Sequence, residues 1–281
     1  MHPVVKSYLK RPDFMLKTAV RWYASETSDL KTVFVMGPPR SGTTLLQRLI
    51  LNHSKVFGFP LETNIVSPRP IFDYSRFADY VPEEIYKSAL ADSRSLIGFF
   101  DLLHRRSFPD RPEDSWIVEK TPQHARNLAY ILNRMPEAKV VFVVRDGRDT
   151  LCSGRSAQNI PQANVLSSHA AYYNACVFPL MNLKEGANRV KLVRYEEFTA
   201  SPERQLSDIC RFLGLEPELE TQLHPSQASD DKRAGEKAFE RLGQAITPAT
   251  VGRWRTEMTP EEIAEYKKIA GRSLAFLGYE V

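Results

Sequence analysis

Short apolar runs alternate with amphipathic stretches from residue 32 onwards. The runs are rich in β-branched and aromatic residues, which is typical of buried strands. They are Thr32–Met36, Trp116–Glu119, Lys139–Val144 and Val190–Val193, with a shorter strand-like run at Val56–Phe59. Helical periodicity follows at residues 43–52, 124–135, from about 150, and 202–213. This alternation predicts a three-layer α/β fold with a central parallel sheet flanked by helices.

The chain shows no linker that would divide it, so residues 1–281 are expected to form one domain. Residues 1–30 are interpreted as a basic, helical N-terminal extension, packed on the domain or docked to a membrane surface or partner. The stretch 225–250 is polar and rich in turn-forming residues, so we expect it to be a mobile loop over the site.

Composition narrows the class of protein. Hydrophobic residues make up 42% and charged residues 26% of the chain, which is ordinary for a globular protein. A net charge of +4 is small for a nucleic-acid binder but suits an anionic substrate. The three cysteines form neither a disulfide framework nor a metal motif. No signal peptide or membrane span is evident, so a cytoplasmic location is the default expectation.

A glycine-rich loop, Gly37–Thr44, follows the first predicted strand and precedes a helix. Its spacing matches the nucleoside-triphosphate loop GxxxxGK[ST], but Thr43 replaces the lysine. The backbone N–H groups still form an anion cradle, whereas the usual contact to the β- and γ-phosphates is missing. The loop therefore predicts a P-loop-like site for a less charged group, with Arg40 supplying positive charge and no metal required.

At these residues the chain resembles the superfamily of sulfotransferases that use 3′-phosphoadenosine 5′-phosphosulfate (PAPS). Two signatures carry the resemblance, the loop Pro39-Arg40-Ser41-Gly42-Thr43-Thr44 and the pair Arg145 and Ser153. It implies that the loop binds the 5′ end of the donor and that Arg145 and Ser153 bind its 3′-phosphate. A purely structural ion pair of Arg145 with Asp146 or Asp149 is the alternative, and Arg148 is expected in a surface ion pair.

The resemblance extends from about residue 32 to the C-terminus and is closest to the tyrosylprotein sulfotransferases and their bacterial relatives. It implies that Tyr195 lies near the adenosine and that Val251–Trp254 lies near the 3′-phosphate. Thr247–Ala249 stands where cytosolic relatives have Arg-Lys-Gly, and Gly252 replaces a donor-binding serine. Arg253 or Arg255 is expected to compensate.

Transfer to a hydroxyl needs a general base. The Lys-Thr-His segment of cytosolic sulfotransferases is interrupted here by Pro122, between Lys120 and His124. In the tyrosylprotein branch a lysine stabilises the transferring sulfuryl group and a glutamate is the base. The resemblance assigns these roles to Lys120 and Glu62, with His124 as the alternative base.

The sequence leaves the acceptor open among small molecules, saccharides and lipids, and the oligomeric state is equally open. Aromatic residues between the loop and Lys120 either line an acceptor pocket or belong to the core. They are Phe57, Phe72, Tyr74, Phe77, Tyr80, Phe99 and Phe100. Two rival functions are a P-loop kinase and a non-catalytic nucleotide-binding protein of the same fold. The missing loop lysine opposes the first, and the presence of Glu62 and Lys120 opposes the second.

Overall fold

A computed structural model describes residues 25–66, 74–157, 161–223 and 246–281. Most of the expected N-terminal extension and of the expected loop over the site lies outside these residues, as does Phe72. Residues 25–30, the end of the expected extension, contain no helix. This segment is instead tied to the domain, because the Ser28 hydroxyl donates to Asp101 and accepts from the Leu30 N–H.

A five-stranded parallel sheet forms the centre of the fold. Its strands are β1 (Thr32–Met36), β2 (Val56–Phe57), β3 (Trp116–Lys120), β4 (Lys139–Val144) and β5 (Val190–Arg194). Their spatial order is β2-β3-β1-β4-β5, and every neighbouring pair is parallel. The predicted fold class is therefore confirmed. The predicted bounds of β1 and β4 agree with the structure, while β3 and β5 each extend one residue further.

Helices connect and cover the strands. In the described part of the chain they are α1 (Thr43–Leu51), α2 (Glu83–Asp92), α3 (Leu96–Ser107), α4 (Leu128–Arg134), α5 (Gly147–Ala157), α6 (Leu166–Met181), α7 (Tyr195–Ala200), α8 (Pro202–Leu213), α9 (Leu219–Leu223), α10 (Trp254–Glu257) and α11 (Pro260–Phe276). The helix predicted over 124–135 is divided, because a 3₁₀ turn at Pro122–Asn127 precedes α4.

The sheet separates two hydrophobic layers because successive side chains of a strand point to opposite faces. On β1, Phe34 belongs to one layer, together with Phe77, Phe99 and Phe100. Val33 and Val35 belong to the other, against α1 and α8. Three of the aromatics considered for an acceptor pocket are thus core residues, with no solvent exposure.

Strand register brings the chemically distinctive segments to one edge of the sheet. Val35 pairs with Lys120, and Met36 pairs with Phe142, two residues before the end of β4. The Gly37–Thr44 loop, Lys120 and Arg145 therefore all leave the sheet at its carboxyl edge, the end at which the parallel strands finish. Open α/β sheets bind ligands at this edge, beside the strand where the order reverses, which here is β1.

Candidate active site

The loop between β1 and α1 adopts a backbone conformation that requires glycine at two positions. Gly37 has φ 147°, and a Cβ there would lie 2.0 Å from the Val143 carbonyl oxygen. Gly42 has φ 96°, and a Cβ there would lie 2.7 Å from the Tyr195 ring. Arg40 also adopts a left-handed φ of 69°. α1 begins at Thr43, so its N-terminal N–H groups face the carboxyl edge.

Positively charged side chains converge beside this loop. The Arg40 Nε donates to the Ser153 Oγ at 3.2 Å. Burial lowers the pKa of Arg40, and the nearby charges of Arg145 and Arg253 lower it further. The Ser41 Oγ and the Arg145 Nε are buried and have no hydrogen-bond partner within the described segments. Because buried polar groups are normally hydrogen-bonded, this arrangement fits an anion of several charges.

Tyr195 connects the loop with Arg145. Its ring lies against Gly42, and the Arg145 guanidinium lies 4.5 Å from the ring centroid. Its hydroxyl forms a 3.0 Å hydrogen bond with the Thr250 Oγ1. The ring therefore forms a flat wall between the loop and the C-terminal segment.

Asp149 holds the C-terminal segment against this wall. Its carboxylate accepts the backbone N–H groups of Gly252 at 2.7 Å and Trp254 at 3.0 Å. It also lies 3.6 Å from Arg145, which donates to the Thr250 carbonyl. From the sequence, Asp149 was expected only as an alternative ion-pair partner of Arg145. Its position four residues after Arg145 was the available signal.

Two further arginines differ in their environments. Arg253 is bound by Glu257 at 2.6 Å and by the Ser156 hydroxyl at 2.8 Å. Arg148 was expected in a surface ion pair, and that expectation is wrong because its side chain is completely buried. It donates twice to Asp146, at 2.9 and 2.7 Å, and stacks 3.6 Å from the Trp254 ring centroid.

A carboxylate and an ammonium group meet at the same edge. The Lys120 Nζ donates to the Glu62 Oε1 at 3.0 Å, although 58 residues separate them in sequence. The Lys120 side chain is 3% exposed and that of Glu62 is 25% exposed. The glutamate is therefore the member of the pair that solvent or a second substrate reaches.

His124 lies deeper than this pair. It is fully buried, and its Nε2 accepts the Val66 N–H at 3.1 Å. A nitrogen that accepts a backbone N–H carries no proton, so the ring is neutral with its proton on Nδ1. Burial lowers the pKa of His124 to about 3, consistent with the neutral form.

The described segments contain neither a candidate metal site nor a membrane-spanning helix. They contain no group of three or more His, Cys, Asp or Glu side chains that could hold a metal ion. No helix described here is both long and apolar enough to cross a membrane.

A parallel sheet with a glycine-rich anion loop at its carboxyl edge defines a P-loop-like α/β protein. A family model described as "Sulfotransferase family" matches residues 32–219, more than half of the chain. The chain belongs to this family of enzymes, and the resemblance seen in the sequence is confirmed.

Curated relatives are distant in sequence but align with most of the chain. The nodulation protein NoeE of Sinorhizobium fredii is 22% identical, over 88% of this chain and 65% of its own length. The protein-tyrosine sulfotransferase 1 of Danio rerio is 24% identical, over 90% and 73%. The chain thus spans about two thirds of the length of NoeE and somewhat more of the second relative.

Solved structures share the fold. The sulfotransferase domain of the Synechococcus PCC 7002 olefin synthase has a TM-score of 0.68 at 18% identity, covering 93% of this chain and 98% of that one. A mouse sulfotransferase complexed with PAP has a TM-score of 0.52 at 13% identity, covering 94% and 89%. At these identities the likeness supports the fold alone.

Proposed function

We propose that this protein transfers a sulfuryl group from PAPS to the hydroxyl of a small-molecule, saccharide or lipid acceptor. One observation carries the proposal. Arg40, Arg145 and Ser153 converge at the Gly37–Thr44 loop, and the same sheet edge carries the Glu62–Lys120 pair. An anion site and a proton acceptor are thereby combined, as the reaction requires.

The donor site fits the two charged ends of PAPS. Pro39, Ser41, Gly42, Thr43 and Thr44 would hold the 5′-phosphosulfate through the loop and the N-terminus of α1. Arg145 and Ser153 would bind the 3′-phosphate, since the Arg145 Nε is buried and available for a charge-assisted hydrogen bond. Tyr195 would stack near the adenosine, and Arg253 would add positive charge. The mouse sulfotransferase of the same fold is complexed with PAP, and we extend that nucleotide to this chain as part of the proposal.

The chemistry is an in-line displacement at sulfur. The acceptor oxygen forms a new S–O bond, and the bond from sulfur to the 5′-phosphate oxygen breaks. The leaving product is 3′-phosphoadenosine 5′-phosphate (PAP). Glu62 would take the hydroxyl proton. Lys120 and Arg40 would hold the sulfuryl oxygens and the charge that develops on the leaving phosphate, which is the kind of preorganised stabilisation that dominates many enzymes.

Glu62 is preferred to His124 as the base on grounds of access. The Glu62 side chain is 25% exposed, whereas His124 is fully buried and uses its unprotonated nitrogen to accept the Val66 N–H. A base must come within hydrogen-bond reach of the proton it removes, and His124 lacks a free acceptor atom for this.

Calorimetry with PAP and with ATP–Mg²⁺ tests the nucleotide assignment. We expect tight binding of PAP alone, and tight binding of ATP–Mg²⁺ would favour a kinase. Incubation with ³⁵S-labelled PAPS and a panel of phenols, saccharides and hydroxylated lipids then tests the reaction and the acceptor. PAP binding without transfer to any acceptor would favour a non-catalytic nucleotide-binding protein.

Glu62→Gln tests the base. We expect unchanged PAP affinity and a loss of at least ~10² in single-turnover transfer, because the amide cannot accept the proton. Glu137→Gln is the matched control, since Glu137 is exposed at the other end of the strands, two residues before Lys139 at the start of β4. Retained turnover in Glu62→Gln would contradict the assignment.

A further inference from the structure

A second carboxyl group lies directly behind the Glu62–Lys120 pair. Glu119 precedes Lys120 on β3, and adjacent side chains of a strand point to opposite faces. Lys120 therefore reaches Glu62, while Glu119 is turned into the interior and is only 1% exposed. Burying a carboxyl group is costly unless it is hydrogen-bonded, so the contacts of Glu119 indicate what the buried group does.

Thr121 connects Glu119 to the segment that carries Glu62. The Thr121 Oγ1 donates to the Glu119 Oε1 at 2.6 Å and accepts the Asn64 N–H at 3.1 Å. A hydroxyl has one proton and two lone pairs, so the bond to Glu119 orients Thr121 to accept the backbone N–H. The backbone two residues after Glu62 is thus fixed from the interior.

His124 fixes the same segment at a second point. Its Nε2 accepts the Val66 N–H, while its Nδ1 lies 3.7 Å from the Glu119 Oε1, beyond hydrogen-bond distance. Asn64, at the first of these two points, has a left-handed φ of 55°, a conformation that asparagine adopts more readily than most non-glycine residues. The Asn64 side chain in turn donates to the Glu62 carbonyl at 3.0 Å.

We propose that Glu119 is a positioning residue, whose buried carboxyl group orients the Thr121 hydroxyl, so that Thr121 fixes the backbone at Asn64 and holds Glu62 against Lys120. This rests on the proposed function, in which Glu62 is the base. Misplacing a reacting group by about 1 Å can cost on the order of 10² in rate, which is what this network prevents. Burial raises the pKa of Glu119 to about 7, against the hydrogen bonds from Thr121 and Thr63 that lower it.

Amide hydrogen exchange, measured by mass spectrometry, tests whether Glu119 orders residues 62–66, and it needs no acceptor. Glu119→Ala and Thr121→Val should speed exchange in peptides covering residues 62–66, whereas Glu119→Gln, which keeps an acceptor oxygen, should not. Thr32→Val is the matched control. Thr32 is also a buried threonine, but its hydroxyl donates to the Leu30 carbonyl at the far end of β1.

Turnover, measured as PAP release with the best acceptor of the panel, tests whether Glu119 positions Glu62 for catalysis. Glu119→Ala and Thr121→Val should lose about 10-fold or more in kcat, with PAP affinity within about twofold of the wild type. Glu119→Gln should retain most of the turnover. In a Glu62→Gln background, Glu119→Ala should lower kcat little further, because the proton acceptor that Glu119 positions is already absent.

Three results would overturn the positioning role. The first is exchange and turnover in Glu119→Ala and Thr121→Val that match those of Thr32→Val. The second is a loss of PAP affinity as large as the loss of kcat. The third is a loss of kcat from Glu119→Ala that is as large in the Glu62→Gln background as in the wild type. If Glu119→Ala does not fold, Thr121→Val decides the same questions. Full turnover in Glu62→Gln alone would instead overturn the base assignment, and the exchange experiment would still decide whether Glu119 orders residues 62–66.

Discussion

The two edges of the sheet both carry basic side chains, but only one of them leaves those charges facing each other. At the amino edge, where the strands begin, a cavity of about 490 Å³ is lined by Lys55, Trp116 and Lys139 among others. Lys55 is paired with Asp114 at 2.5 Å, and the Lys139 Nζ donates to the Phe212 carbonyl at 2.5 Å. At the carboxyl edge, by contrast, burial lowers the pKa of Arg40 and the neighbouring charges of Arg145 and Arg253 lower it further.

The difference teaches that a cavity lined by basic residues does not by itself identify the site. An anion bound at Lys55 or Lys139 would have to replace the contacts that these side chains already make. At the carboxyl edge the charge of Arg145, although Asp149 lies 3.6 Å from it, still acts against the positive charge on Arg40, and an anion would offset this repulsion. We therefore expect substitutions at the carboxyl edge to change nucleotide binding and matched substitutions at the amino edge to leave it unchanged.

The sharpest test of this comparison is Arg145→Gln against Lys55→Gln. Removing the charge at Arg145 should weaken PAP binding about 10- to 100-fold, since a hydrogen bond to a charged group contributes about 1.5–3 kcal/mol. Lys55→Gln should leave PAP affinity unchanged, because Lys55 is paired with Asp114 at the other edge. Calorimetry measures both, and equal losses in the two variants would remove the distinction between the edges.

Asp149→Asn separates positioning from simple charge attraction. Coulomb's law alone predicts tighter PAP binding when a carboxylate beside an anion site is neutralised. We expect binding about 3- to 10-fold weaker instead, because an amide cannot replace both hydrogen bonds to the N–H groups of Gly252 and Trp254.

Asp208→Asn is the control for that variant, since Asp208 pairs with Arg211 on the surface of α8. Tighter PAP binding by Asp149→Asn, measured in the same calorimetric titration, would show that its negative charge outweighs its hold on the C-terminal segment.

The sequence predicted those parts of the molecule that are encoded locally. A strand, a glycine-rich turn and a helix in succession are sufficient to expect the cradle at Gly37–Thr44, and periodicity alone locates β1 and β4. The roles of Glu62 and Lys120 were assigned only through the resemblance, and their contact at 3.0 Å was not predicted.

Most of the remaining contacts join residues far apart in the chain, so no local pattern encodes them. Asp149 holds backbone groups that lie 103 and 105 residues away. Arg148 was expected in a surface ion pair; its pairing with Asp146 is local, but the Trp254 ring that covers it comes from the distant C-terminal segment. Glu119 ends an apolar run and gives no sign of burial, which follows only once residues 62–66 pack over it through Thr121.

The smallest expected effect is a pH dependence of stability within this buried network. Burial raises the pKa of Glu119 from 4.5 to about 7, so in that interval the folded chain retains a proton that the unfolded chain has lost. Its contribution to stability therefore falls as the pH rises from 4.5 to 7. His124 does the reverse. Burial lowers its pKa from 6.5 to about 3, so its contribution rises over that range.

Between pH 4.5 and 6.5 these two contributions oppose each other in the wild type, with Lys120 and Glu62 also acting on Glu119. Glu119→Gln removes the falling contribution, so its Tm should rise with pH more steeply than that of the wild type. The difference in slope is at most about 1.4 kcal/mol of unfolding free energy per pH unit. Thermal unfolding at several pH values measures it, with Glu137→Gln as the exposed control. Parallel curves for Glu119→Gln and the wild type would mean that Glu119 is ionised in the fold, and that the network holds residues 62–66 with a charged group.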